Sequence, residues 1–257
     1  MKERTYFYDL HCHTIASPDT PGKLKDIACM AKKRGVDGIA VADHDKIYEG
    51  PLSVDGIDII PATEISLKGG DHLLGYFVSS KVKAGLTLKE TISLIHKQGG
   101  YAVWAHPLRR KNNFTEEEKE ALSLLDGLEA GNAMDGGKSR KATKEEARRC
   151  SLIETAGSDA HICGQVGTGV LEVSEKINKE NFLDVAGKGK VIIRGEISGY
   201  RKHNMWWKRK IRKLREILRL DGSKRMKNLF ARVVIRNYLR LNNIRLKRID
   251  FNLKDRE

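Results

Sequence analysis

Short apolar runs alternate with amphipathic stretches through roughly the first 200 residues of the chain. The runs at residues 6–10, 38–42, 57–62, 73–78, 102–105, 127–130, 153–156 and 191–194 are rich in Val, Ile, Leu and Tyr, and many border a glycine. This pattern predicts β-strands. Between them, residues 23–34 carry Leu24, Ile27, Ala28 and Ala31 at helical spacing. Residues 87–98 and 115–125 each open on a threonine (Thr87, Thr115) with a glutamate three positions later (Glu90, Glu118), the capping-box signature of a helix start. Residues 139–150 and 178–186 predict two further helices. A Gly69-Gly70 turn between Glu64 and the run at 73–78 predicts a hairpin or bulged pair. The repeated strand–helix alternation argues for a parallel sheet, and seven or eight such units in this length predict a small closed barrel.

After Gly199 the pattern changes. Residues 205–220 set Ile211, Leu214, Ile217 and Leu218 on one face among Lys and Arg, Asp221-Gly222-Ser223 interrupts them, and residues 229–241 repeat the device with Phe230, Val233, Val234 and Tyr238. The reading is a barrel over residues 1–199 and a basic helical appendage over residues 200–257. Charge sharpens that division. Residues 201–257 hold 20 Lys/Arg against 5 Asp/Glu, and the rest of the chain holds 28 against 29. The excess of +14 therefore belongs to the C-terminal segment, which points to polyanionic partners such as nucleic acid or an anionic membrane. Trp206 and Trp207 beside Lys208-Arg209-Lys210 suit either base stacking or a packing anchor. No run has the roughly 20 apolar residues of a membrane span, and the N-terminus lacks the apolar core of a signal peptide. Cys12, Cys29, Cys150 and Cys163 form no CxxC pair, which suits a reducing cytoplasmic compartment.

The candidate chemistry lies at the strand ends. His11 and His13, in DLHCHT, stand two apart on an extended segment, so both imidazoles face one side and make half of a metal site. His44 (VADHD), Glu64 (PATEIS), His106 (WAHP) and the pair Asp159/His161 (GSDAH) follow their strands, and His72 opens one. In a barrel such ends surround a single mouth. His96, in a helical stretch, reads as structural, and His203 lies in the basic segment.

DLHCHT, ADHD, ATE, AHP and GSDAH, in this order, resemble the motif series of the PHP (polymerase and histidinol phosphatase) superfamily over roughly residues 6–196. The resemblance implies a distorted (β/α)7 TIM-like barrel with two or three divalent ions, usually Zn, Mn or Fe. It implies that His11, His13, Asp159 and Glu64 hold one ion. Glu64 then bridges to a second completed by His72 and His106, and His44 and His161 hold a third together with Asp19. It also implies Arg109, two residues past AHP, as a phosphate clamp. Asp159, His161 and Arg109 are the expected catalytic residues. Asn132 in LEAGN matches a family position, either as a ligand-facing donor or as part of the rim, and Lys138, Arg140 and Arg194 are weaker phosphate contacts. Asp9, Asp43 and Asp45 neighbour these residues and either orient imidazole N–H groups or cap turns.

Clustered divalent ions lower the pKa of a bridging water and clamp phosphoryl oxygens. The expected enzyme is a metal-dependent phosphoesterase acting on nucleotides or nucleic-acid ends. The alternatives are a small-molecule phosphatase similar to histidinol phosphatase and a non-catalytic RNA-binding barrel protein.

Overall fold

The computed structural model describes residues 4–195. The appendage expected over residues 200–257, with Trp206, Trp207 and His203, lies outside the described residues. In chain order the elements are β1 (Tyr6–Cys12), α1 (Leu24–Lys33), β2 (Gly38–Val41), β3 (Ser53–Val54), β4 (Ile57–Ser66), β5 (His72–Tyr76), α2 (Leu88–His96), β6 (Tyr101–Ala105), α3 (Glu116–Leu122), β7 (Gly127–Asn132), α4 (Gly137–Arg149), β8 (Ile153–Gly157), β9 (Gly169–Val173), α5 (Phe182–Gly187) and β10 (Lys190–Ile193).

The strands form one mixed sheet in the order β10-β9-β1-β2-β4-β5-β6-β7-β8, with β3 paired beside β4. It curls into a nearly closed barrel. At the seam the Asp159 N–H donates to the His11 carbonyl at 2.8 Å and the His13 N–H donates to the Ala160 carbonyl at 3.0 Å. Gly157 permits this approach, because a Cβ there would meet the His11 Cβ at 2.3 Å and the His11 backbone N at 2.7 Å.

The sheet is not wholly parallel, as strand–helix alternation had implied. β4, β5 and β6 are antiparallel neighbours, the first pair joined through the expected glycine turn. β9, absent from the sequence reading, runs antiparallel to both β1 and β10. Its five residues follow a single 3₁₀ turn at Cys163–Gln165 and a short loop rather than an α-helix, so no change of period announces it.

Uniformly apolar strands arise because both faces are covered. Along β2, β5 and β6, residues alternate between the barrel interior (Ala40, Leu74, Val103) and the layer beneath the helices (Ile39, Leu73, Trp104). Toward the mouth the interior residues shrink to Ala42, Ala62, Ala105 and Ala156. That leaves volume for polar side chains. At the opposite end Phe182 of α5 packs against Tyr76 and Tyr101, with ring centroids 4.8 and 5.1 Å away. The helices α2 and α3 begin with the expected capping boxes at Thr87/Glu90 and Thr115/Glu118. Asp19 caps no helix, since α1 starts after Lys23.

Candidate metal centre

Strand direction explains how the polar residues meet. His11 is the penultimate residue of β1 and His13 follows the strand, while His44, His106, Asp159 and His161 come just after β2, β6 and β8. His72 opens β5, yet β5 runs against its neighbours, so His72 pairs with Ser66 at the end of β4 and Ala105 at the end of β6. The antiparallel insertion thus delivers a strand start to the same mouth.

Glu64, 1% exposed, is the hub. One of its oxygens lies 3.5, 3.3 and 3.0 Å from His11 Nε2, His13 Nε2 and His44 Nδ1. The other lies 3.0 Å from His72 Nδ1 and 3.1 Å from His106 Nε2. Asp159 Oδ1 faces His11, His13 and His161 at 3.8, 3.3 and 3.4 Å. Asp19 Oδ2 lies 3.2 Å from His161 Nε2 and 3.7 Å from His44 Nε2.

These distances define three groups whose donor atoms lie within 4.8 Å of one another: His11, His13 and Asp159; His44, Glu64 and His72; and His13, His44 and His161. The first agrees with the grouping that the family resemblance implies. In the other two the partition differs, because His44 sits between Glu64 and His161 and His13 reaches toward both ends. His106 stays on Glu64, and Asp19 stays at the His44/His161 end.

The donor set fits divalent cations on chemical grounds. His11 Nε2, His13 Nε2 and Glu64 Oε2 are buried and have no hydrogen-bond partner, although buried polar atoms are nearly always paired. Imidazole nitrogens and carboxylate oxygens converging in this way suit Zn, Mn or Fe. Charge is arranged to match. Burial pushes the Glu64 carboxyl up, but the charge of His11, the hydrogen bond from His106 and the nearby His72 hold it well below the ordinary range. Burial also raises Asp159, yet Arg109, His11 and His13 bring it well below its usual value. Burial and the neighbouring His161 press His13 down to about 4, so it is neutral near pH 7. Burial opposes charge on His11, but Glu129, Glu64 and Asp159 together carry it well above 6.5. For His161, Asp19 and Asp159 likewise outweigh burial and raise the imidazole.

Arg109 is held rather than free. Its Nε donates to Asp135 Oδ1 at 2.5 Å and its Nη2 to Asp159 Oδ2 at 2.8 Å, and the side chain remains 26% exposed. The exposed Arg110 donates instead to the Gly70 carbonyl. Arg140 donates to the Asp135 carbonyl, and Arg194 stacks over Phe7 and bonds the Arg34 carbonyl. Lys138 is exposed. Asn132 is not on the rim. It is fully buried, donating to Glu129 Oε2 at 2.9 Å and accepting from the Met134 N–H at 2.8 Å. His96, outside the site, bonds Asp126 at 2.8 Å.

Three supporting residues escaped the sequence reading. Glu129 meets His11 Nδ1 at 2.9 Å. Ser17 accepts from His13 Nδ1 at 3.2 Å and from the His44 N–H at 3.0 Å while donating to Asp43 at 2.7 Å. Asp135 anchors Arg109. For Glu129 the obstacle was a register shift between Glu129 and Gly131, which puts Glu129 and Asn132 on one side although simple alternation opposes them. The aspartates neighbouring the motifs divide. Asp43 acts on His13 through Ser17, Asp45 caps Ser66, and Asp9 accepts backbone N–H groups of Ser158 and Gly167.

Comparisons with known proteins agree with the barrel fold. The PHP-associated family model matches residues 139–191. A solved structure of a Bacteroides vulgatus two-domain protein containing a predicted PHP-like metal-dependent phosphoesterase superposes with a TM-score of 0.56 at 16% identity, covering 80% of this chain and 70% of that one. This chain has a PHP-like metal-dependent phosphoesterase fold. The chain also superposes on the lesion-specific endonuclease PfuEndoQ of Pyrococcus furiosus, with a TM-score of 0.55 and 19% identity over 74% of this chain and 58% of that one. In sequence, an uncharacterized protein of Methanocaldococcus jannaschii is 32% identical over 114 residues, 38% of this chain and 66% of the relative, so the match spans just under two thirds of that protein. With three donor clusters at the mouth, the PHP-like barrel has the equipment of a metal-dependent hydrolase.

Proposed function

We infer that the protein hydrolyses phosphate esters of nucleotides or nucleic-acid ends. One observation carries the phosphoester chemistry: five imidazoles delivered by four strands (β1, β2, β5 and β6) surround the buried Glu64 carboxylate of a fifth. His11, His13, Asp159, His44, His72, His106, His161 and Asp19 would hold two or three divalent ions together with Glu64. Such ions supply Lewis acidity and a water activated near neutral pH. The remaining work falls to the chain itself. Asp159 and Asp135 fix Arg109 at the edge of the site, and the unused N–H groups of its guanidinium are available to a phosphoryl oxygen. His161, bonded through Nδ1 to the Asp159 carbonyl at 2.9 Å, is thereby oriented with Nε2 toward Asp19 at the outer end of the site.

Two facts support a nucleotide or nucleic-acid substrate over a small phosphomonoester. The basic segment at 201–257 raises the local concentration of a polyanion, and a structural neighbour is a lesion-specific endonuclease. A cytoplasmic setting, with four free cysteines, completes the reading.

The test is turnover of a panel of nucleoside bisphosphates, short RNA and DNA, and simple phosphomonoesters by protein supplied with Mn²⁺ or Zn²⁺. Salt-sensitive cleavage of the polyanions is expected. Turnover confined to small monoesters would move the assignment to a small-molecule phosphatase. No turnover by metal-loaded protein would overturn the enzymatic reading.

A further inference from the structure

The geometry points to Glu129 as a positioning residue that selects the tautomer of His11 and thereby decides whether the first metal cluster can form. The inference rests on the metal-site reading above but not on any substrate.

Glu129 is 1% exposed and sits under the site on β7. A carboxylate so deeply enclosed needs donors on both oxygens. Oε1 faces His11 Nδ1 at 2.9 Å. Oε2 accepts the His106 backbone N–H at 3.0 Å and the Asn132 side-chain amide at 2.9 Å. An ionised carboxylate can only accept, so His11 must carry a proton on Nδ1. Nε2 is then the nitrogen left with a lone pair, and it is the one that faces Glu64 and Asp159. The same carboxylate restrains His106, whose backbone lies at φ +34°, a region unfavourable to a residue with a Cβ. One buried side chain thus supports a histidine from each of two strands.

The surroundings of Oε2 make the need for a carboxylate specific. The His106 N–H is fixed by the backbone. The Asn132 amide is fixed by the Met134 N–H, which occupies its Oδ1 at 2.8 Å and leaves its NH₂ to face Glu129. Two donors therefore converge on Oε2. A glutamine of the same size would have to place its carbonyl oxygen there, and its NH₂ would take the position of Oε1, pointing at His11. His11 Nδ1 would then accept, its proton would move to Nε2, and that N–H would aim into the metal cluster. An isosteric change at a residue that touches no metal would block a ligand two bonds away.

The experiment is histidine-selective ¹⁵N NMR together with zinc titration against a chromophoric chelator, on the full chain. In zinc-loaded wild-type protein His11 should carry its proton on Nδ1. In Glu129→Gln the metal-free His11, at a pH where it is neutral, should carry it on Nε2. Zinc affinity should fall by ~10–100-fold, the usual scale for losing a partner that orients a metal ligand. An unchanged tautomer and unchanged zinc affinity in folded Glu129→Gln would overturn the proposal. Should that variant fail to fold, an Nε2 proton on His11 in the zinc-loaded wild type would overturn it alone. Because neither readout needs turnover, failure of the substrate assignment would leave both results standing.

Discussion

Arg109 Nη2 lies 2.8 Å from Asp159 Oδ2, while the other oxygen of the same carboxylate faces His13 at 3.3 Å. The guanidinium therefore neutralises a buried acid and stands at the edge of the donor cluster at once. Arg109→Ala leaves Asp135 and Asp159 uncompensated and should cost about 3–5 kcal/mol in metal-free protein. Bound cations would restore part of that charge balance at Asp159. The loss should accordingly be smaller when Zn²⁺ is present, which thermal or urea unfolding with and without chelator will show. Arg109→Lys keeps the charge without the planar fork and should recover stability better than turnover.

Among the described residues Glu64→Gln should be the most damaging isosteric change. No other carboxylate among the described residues approaches His11, His13, His44, His72 and His106 together. Metal content measured after gel filtration should drop by at least one ion per chain, and phosphoesterase activity should fall by more than ~100-fold. The far-ultraviolet circular dichroism should remain that of the wild type. Retention of both metal and activity would remove Glu64 from the centre of the site.

Metal binding should be linked to pH with a definite sign. His11 is raised above 6.5 on folding, so its protonated form adds stability that is full below pH ~6.5 and fades as the pH rises through the folded value. Glu64 and Asp159 are lowered, so they add stability above pH ~4 that is lost on acidification. Chelated protein should be most stable between these limits. A cation must displace the His11 proton, whereas His13, at about 4, is already neutral. The rise in Tm on adding Zn²⁺ should therefore grow from about pH 6 to about pH 8, with proton release visible by calorimetry in buffers of different ionisation enthalpy.

Gly157→Ala tests the barrel seam. A methyl group would lie 2.3 Å from the His11 Cβ, and the neighbouring backbone has little room to yield. Destabilisation of at least ~1–3 kcal/mol is expected from the overlap, with weaker Zn²⁺ binding because His11 is displaced. A variant with normal stability and metal affinity would show that the seam is looser than these distances imply.

Much of this site could be read in the sequence because metal donors are few in kind and fall at strand ends. The pair His11/His13 needed only period-two geometry, and Thr87 and Thr115 announced their helices three residues ahead. What stayed hidden depended on pairing between distant segments. Gly169–Val173 is a strand because β1 and β10 flank it, and nothing within five residues says so. The expected hairpin turns His72 toward the mouth, but the antiparallel pairing of β5 with β6 on its other side was not visible. Glu129 resembled one more β7 residue until a register shift turned it toward His11. Ser17 carries no metal-ligand chemistry of its own, so its role exists only through Asp43 and His13.

The seam between β1 and β8 also bears on how the protein acquires its metal. His11 and His13 leave the ribosome early, while Asp159 and His161 come almost 150 residues later. Bringing them together closes a long loop, which is slow and entropically costly. A nascent chain holding only the first half of the barrel has histidines but lacks the acid that completes the first cluster. Full metal capture would therefore belong to the final stage of folding, and an ion held there would act as a clasp on the finished barrel.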